Sequence, residues 1–389
     1  MNVIIELKIE KVAHGGIFIA RHEGKAVFVT GAIDGEVVKA EVYEDSGRYM
    51  RARVVEVVEG SEHRRVHFWK AARQGAGGAE FGHINLSYQR ELKGKVLAEA
   101  LERMAGIELP TEVMPVPGET DGLNYRTRVQ LNVDASGLAG PVMSRTNDVI
   151  FAKDLPLAVE EIEQLGLHLK NWSGVKKISI SSSSVGDLQW MVDSKVNGSE
   201  KLLERVAGRT FRLSTGGFWQ VHKDAPELLV ATVTQAAKDL GLDPSKKHLD
   251  LYAGAGLFSA TLSVAFDSLQ ITAVESSKIG VLDGERSTKD LNNLKFVKSD
   301  VLRFLRTQTD VAYDTVVLDP PRSGAASKVI DALTAVGPKN IIYVACDPVA
   351  LARDLKQLIA AGYRLRGLKA FDIFPHTHHF ECVATLSRS

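Results

Sequence analysis

"HLDLYAGAGLFS", His248–Ser259, decides how the C-terminal half of this chain folds. The opening HLDL has the length and apolar character of a buried strand. Gly254 and Gly256 then allow a sharp backbone turn, and the LFSATLSVAF after them reads as a helix. A strand feeding a glycine turn and then a helix is the opening move of a doubly wound α/β sheet, with the turn free to approach a ligand. A turn that merely packs helix on strand carries the same signature, so its meaning depends on the downstream strands.

Those strands repeat the pattern. QITAVES, LKFVKSD, YDTVVLDPP and KNIIYVAC read as strands, PVALARDLKQLIAAG as a helix, and YRLRGLKAFDIF with FECVATLSRS as a closing strand pair. Glu275 ends the second strand about twenty residues after the glycine turn, where a carboxylate can accept both ribose hydroxyls of an adenosine moiety. Asp300 ends the third strand. A dinucleotide fingerprint would need a third glycine near Phe258 and Ser259. The D-x-x-x-G-x-G spacing from Asp250 is instead the usual opening of an S-adenosylmethionine site.

Upstream the grammar differs. Residues 1–60 alternate Val- and Ile-rich runs with glycine turns and read as a small OB-like barrel of about five strands. Residues 61–84 and 119–213 read as a strand-rich central domain, with one short helix near LAVEEIEQLGLHLK. Residues 85–118 and 214–389 form the α/β domain, the first piece being a helix that stops at Gly106.

Composition narrows the class of protein. A chain of 389 residues implies two or three domains, and 44% apolar with 25% charged residues is the balance of a globular protein. The net charge is zero, so nucleic-acid binding must rest on a local patch. Arg64, Arg65, Lys70 and Arg73 with Phe68 and Trp69 make the best basic–aromatic cluster; a solvated connector explains them equally well. MNVIIELKIE is too interrupted by charge for a secretion signal, and no apolar run approaches the roughly 20 residues of a membrane span. With only Cys346 and Cys382, a reducing, cytoplasmic compartment is expected.

Three further positions carry chemistry. LDPPRSG puts Asp319, Pro320, Pro321 and Arg322 at a strand end, where paired prolines form a rigid rim that can press on a flat base. Cys346 comes directly after the next strand and precedes Asp-Pro and a helix. A helix N-terminus there favours thiolate over thiol. Glu381 and Cys382 alternate on the last strand, so with Cys382 in the core Glu381 faces the other side. His376, His378 and His379 are bunched too closely for a metal site, and none is expected.

DLYAGAGLFS, LDPPRSG, YVACDPVALARDL and FPHTHHFECV, in this order, closely resemble the S-adenosylmethionine-dependent RNA uracil-C5 methyltransferases, which make 5-methyluridine in tRNA or 23S rRNA. The resemblance spans nearly the whole chain, because a TRAM barrel and a strand-rich central domain are also family features. It implies a Rossmann-like class I methyltransferase domain. It also implies Cys346 as the nucleophile at uracil C6, Glu381 as the base for the C5 proton and Asp319 as an orienting group. The cofactor S-adenosylmethionine would be held by Gln220, Tyr252, Gly254, Gly256, Glu275, Asp300 and Asp319. Phe218, Pro320 and Arg322 are candidates for the uridine. Leu257 stands where some members have a polar cofactor contact, and that role is not carried over. The expected partner is tRNA or 23S rRNA, with no membrane association and the chain acting as a monomer. A methyltransferase acting on a purine amino group, and a non-catalytic RNA-binding homologue, remain as alternatives.

One glycine loop departs from the family. In many bacterial members the stretch matching RQGAGGAEFGH, Arg73–His83, carries cysteines that hold a [4Fe–4S] cluster. Here Ala76 and Ala79 occupy the cysteine places, and Leu155 replaces the cysteine of a C-P-L motif. The resemblance therefore implies no iron–sulfur cluster, with Gly77 and Gly78 shaping a turn beside the RNA-binding face.

Overall fold

The computed structural model describes residues 3–143, 146–308 and 310–388. Five strands, β1 (Val3–Ala13), β2 (Ile17–His22), β3 (Lys25–Thr30), β4 (Val37–Asp45) and β5 (Tyr49–Glu59), close into a barrel in the order β1-β2-β3-β5-β4. Their inward residues, including Leu7, Ile9, Phe18, Val27, Val29 and Val38, form its core. A bulge between Ile9 and Lys11 shifts the β1 register, so that Val12 also points inward. Helix α2 (Leu86–Ala100), after the short α1 (Lys70–Arg73), contributes Tyr88 and Leu92 to that core and so seats the barrel on the rest of the molecule. A π-turn, Leu101–Ala105, extends α2 and ends at Gly106, whose φ of +66° suits glycine.

The central part holds β7 (Arg128–Val133), β8 (Ala139–Gly140), α3 (Glu160–Gln164), β9 (Lys177–Ser182), β10 (Leu188–Val192) and β11 (Lys195–Gly198), after the short strand β6 (Val113–Pro115). These make a sheet of order β11-β10-β9-β7-β8, while β12 (Leu202–Val206) and β13 (Arg209–Leu213) form a separate hairpin.

From Ala225 the chain alternates. It runs α4 (Ala225–Asp239), β14 (Lys247–Leu251), α5 (Leu257–Ala265), β15 (Gln270–Glu275), α6 (Lys278–Ser287), β16 (Leu294–Lys298), α7 (Val301–Leu305), β17 (Tyr313–Leu318), α8 (Ser327–Val336), β18 (Asn340–Ala345), α9 (Pro348–Ala360), β19 (Tyr363–Asp372) and β20 (Glu381–Arg388). The sheet order is β16-β15-β14-β17-β18-β20-β19-β6. Winding reverses between β14 and β17, and ligands of such sheets gather outside the strand ends at that switch point. Alternation along the buried strands serves both faces: Val316, Leu318, Ile341 and Tyr343 pack with α8 and α9, whereas Val317, Ile342 and Val344 pack with α4 and α5. β20 runs antiparallel between β18 and β19, so its first residues lie beside the last residues of β18.

Candidate active site

The switch point opens into a cavity of about 470 Å³, lined by Glu275 of β15, by residues just beyond the ends of β14, β17 and β18, by Glu381 at the start of β20 and by the loop after β13. That volume suits a small cofactor and part of a second ligand. Tyr252 and Gly254 form its floor, both with left-handed backbone, at φ +63° and +54°. Left-handed geometry is costly for a tyrosine, and such strain clusters at functional turns. No atom stands within 4 Å of where a Gly254 Cβ would be, so the turn is open to a ligand. Gly256 matters differently: a Cβ there would meet the Phe296 ring at 2.5 Å, so it permits close packing and does not line the cavity.

Glu275, ending β15, accepts from Gly254 N–H at 2.9 Å and from Ser277 N–H at 2.6 Å, which aims its carboxylate along the cavity wall. Asp283 of α6, missed by sequence reasoning, accepts from Ser214 N–H at 2.8 Å and Ser214 Oγ at 2.6 Å. It thereby holds the loop that brings Gly217, Phe218 and Gln220 to the cavity; Gln220 is buried, whereas Phe218 is 71% exposed at the mouth. Arg126 and Phe374, which carry no local signal, line the same space, as does His379 of the histidine cluster. Asp300, beyond the end of β16, caps α7 through Oδ1, which accepts from Arg303 N–H at 3.0 Å.

At the other end stand Asp319, Pro320, Pro321, Arg322, Cys346 and Glu381. Buried Asp354 of α9 accepts from Ala325 N–H at 2.8 Å and from Tyr343 OH at 2.7 Å, fixing the loop that carries the prolines. Cys346 is next to Ala345, the register partner of Cys382, so the start of β20 brings Glu381 to the thiol. Cys382 lies in the core, and Glu381 faces the cavity.

The electrostatics correct one expectation. Burial pushes the Cys346 thiol up to about 12, with Glu381, Asp319 and Asp347 adding to the effect and only Arg322 opposing it. Burial outweighs the helix end behind Cys346, where Asp347 sits as the cap of α9 and accepts from Ala350 N–H at 2.8 Å. Burial also raises Glu381 well above the usual carboxylate range, helped by Asp319. Asp319 is raised to about 7 by burial and by Asp250. Three acidic groups thus share one wall with a single guanidinium, which favours their protonated forms.

The loop before β20 is tied down from outside. The His376 ring is buried; its Nδ1 accepts from Gln89 at 3.0 Å and Arg65 at 3.1 Å, so Nε2–H donates to Asp121 O at 2.9 Å. His378 pairs with Glu80. The basic–aromatic cluster is therefore not a free surface. Arg65 serves His376, Arg64 pairs with buried Glu36 at 2.5 Å, and Trp69 is in the core with its Nε1–H donating to Asp154 O. Lys70 and Arg73 stay exposed. Ala76, Ala79 and Leu155 lie in one apolar cluster with Trp69. Among the described residues, no group of His, Cys, Asp and Glu is placed to hold a metal, and no helix is long and apolar enough to cross a membrane.

A doubly wound sheet whose second strand ends in an acid beside an open glycine turn is the architecture of a class I S-adenosylmethionine-dependent methyltransferase, one it shares with dinucleotide-binding folds. Comparison with known proteins gives the family. The chain matches the tRNA (uracil-5-)-methyltransferase family over residues 199–389 and the TRAM domain over residues 3–55. It is 36% identical to an uncharacterized RNA methyltransferase of Streptomyces avermitilis, covering 98% of this chain and 97% of that one. It is 27% identical to the 23S rRNA (uracil(1939)-C(5))-methyltransferase RlmD of Aeromonas hydrophila, covering 99% and 96%. Its fold matches the Pyrococcus abyssi tRNA (uracil-54, C5)-methyltransferase, solved with S-adenosyl-L-homocysteine, at a TM-score of 0.72 and 20% identity over 98% and 100% of the two chains. The chain belongs to the TRAM-domain RNA (uracil-C5) methyltransferase family.

Proposed function

We propose that this enzyme methylates C5 of a uridine in tRNA or 23S rRNA through a covalent adduct between Cys346 and uracil C6. The convergence of Cys346 and Glu381 on one cavity wall carries this reading. Uracil C5 is a weak nucleophile. As Cys346 Sγ bonds to C6, electrons of the C5–C6 double bond move to C5 and O4, and C5 becomes an enolate-like carbon. S-adenosylmethionine supplies the methyl group, from its sulfonium, to that carbon. Glu381 then takes the C5 proton, the double bond re-forms and the C6–S bond breaks, returning the Cys346 thiolate.

The protonated resting state sets two requirements. Cys346 must lose its proton before attack, and Glu381 must be ionised before it can act as base. A cation entering a cavity walled by Asp319, Glu381 and Cys346 lowers all three, so the sulfonium charge favours both ionisations. Gln220, Tyr252, Gly254, Glu275 and Asp319 are the groups we assign to the cofactor. Gly256 supports them by packing, and Asp300 supports them by capping α7 behind the turn. Exposed Phe218 at the mouth, with Pro320 and Arg322, would receive a flipped uracil by stacking and charge. The family match favours uracil C5 over a purine amino group, and retention of both Cys346 and Glu381 argues against a non-catalytic homologue. We extend the reading to a monomeric cytoplasmic enzyme, and to a division into a barrel (1–60), a central part (61–84 and 119–213) and a catalytic part (85–118 and 214–389). Digestion of tRNA and 23S rRNA after incubation with the enzyme and S-adenosylmethionine should yield new 5-methyluridine in one of them; none in either would refute the assignment.

A further inference from the structure

The barrel reaches the catalytic wall from behind. His14 heads the turn between β1 and β2, and its Nε2 stands 2.8 Å from Oδ2 of Asp347, the residue after Cys346. Asp347 Oδ1 meanwhile caps α9. Both oxygens of one carboxylate are thus engaged, one by the helix behind the thiol and one by a residue 333 positions earlier. Gly15 and Gly16, at φ +85° and +71°, let this turn come close. A Cβ on Gly16 would lie 2.9 Å from His378 Cβ. His14, Gly15 and Gly16 share a crevice with Cys346, Asp347 and His378, so His14 approaches Cys346 from the barrel side while the methyl-transfer cavity opens on the other.

We propose that His14 is a positioning residue for Cys346, holding Asp347 in place and, as an imidazolium, offsetting the carboxylate charge that opposes the thiolate. The inference rests on Cys346 being the nucleophile. The other charged groups around the pair are already committed or point elsewhere. Lys93 of α2 is paired with Asp372, and Glu80 with His378. His379 lies beside His378, its ring held neutral by burial and by that neighbour. Lys11 of β1 is paired with Glu99. On the cavity side stand Asp319, Glu381 and Arg322. Arg322 therefore acts on the Cys346 thiol from the cavity side, and His14 faces Asp347 from the barrel side, reaching the thiol through that carboxylate. The hydrogen bond to Asp347 raises the His14 pKa against burial, so the cation persists toward neutral pH; burial works against the Asp347 carboxylate, but His14 and the Ala350 N–H hold its pKa low.

The test is the rate at which iodoacetamide alkylates Cys346 in the full-length protein without RNA, read by mass spectrometry of the Cys346 peptide from pH 5.5 to 9. His14→Gln should slow alkylation roughly three- to tenfold below the His14 pKa, with the gap closing as the pH rises through it. His14→Arg should keep the faster reaction across the range. Asp347→Asn, which retains a capping side chain, should speed alkylation and make His14→Gln silent. Superimposable wild-type and His14→Gln profiles would overturn the proposal, as would a pH-independent loss that Arg fails to restore. Failure of the parent reading shows separately: a 5-fluorouridine RNA adduct that survives Cys346→Ala removes the nucleophile whatever the alkylation profile.

Discussion

Cys346 and Glu381 meet because β20 runs antiparallel to β18: they lie one residue beyond the register partners Ala345 and Cys382. A parallel β20 would carry Glu381 to the opposite edge of the sheet. Reversing the last strand brings the Glu381 carboxyl to the Cys346 thiol with 34 intervening residues, enough for α9, β19 and the histidine loop.

With Glu381→Gln the C5 proton has no acceptor, while attack and methyl transfer remain possible. Ordinary substrate RNA should then accumulate as a methylated covalent complex, visible as a slow-migrating band that carries label from methyl-labelled cofactor. Normal turnover would exclude Glu381 as the base.

Cofactor affinity should depend on pH in a way that separates S-adenosylmethionine from S-adenosylhomocysteine. Asp319 is raised to about 7, so it is largely protonated at pH 6 and ionised at pH 8. The sulfonium ligand should bind roughly three- to tenfold tighter at pH 8 than at pH 6, relative to the uncharged thioether. Calorimetric titration at both pH values checks this, and Asp319→Asn should flatten the difference.

The same carboxyl predicts a stability trade. Its folded pKa lies above its unfolded value, so the folded state binds the extra proton and loses stability as pH rises from about 4 to 7. Asp319→Asn should therefore stabilise the enzyme above pH 7, by about 1–2 kcal/mol given that the side chain is partly open to the cavity, and by little near pH 4. Thermal melts at pH 8 and 4.5 report it; methyl transfer should fall.

Lys93 and Asp372 form a buried ion pair at 2.5 Å, and Lys93 also donates to Phe374 O at 3.1 Å, just ahead of the histidine loop. Lys93→Met leaves a buried carboxylate without its partner and should cost about 3–5 kcal/mol. Adding Asp372→Asn should recover part of that loss, as measured by denaturant unfolding.

Much of this architecture is legible in residue order. Strand-turn-helix repetition from His248 onward and the glycine-punctuated runs of the first sixty residues correspond to the wound sheet and closed barrel that the structure contains. Short elements are not legible: β6, three residues long, joins the edge of the large sheet beside β19 and packs against α2. The Cys346 thiol is raised, against the expected thiolate, because a local helix end is visible in sequence, whereas the burial of the thiol and the approach of Glu381 and Asp319 from other strands are not. Arg64 and Arg65 resemble surface charge for the same reason, since Glu36 and His376 are remote in the chain. Asp300 has the position of a strand-end ligand, yet a strand end is equally a helix cap.

The proposed mechanism turns on a covalent bond between Cys346 and uracil C6. Fluorine at C5 cannot leave as a cation, so a 5-fluorouridine-containing RNA should halt the reaction after methyl transfer. The direct measurement is denaturing electrophoresis with mass spectrometry of wild-type and Cys346→Ala enzyme after incubation with that RNA and S-adenosylmethionine. A stable protein–RNA adduct mapped to Cys346 in the wild type, absent from Cys346→Ala, is the expected result. An adduct of equal yield in Cys346→Ala would contradict the mechanism.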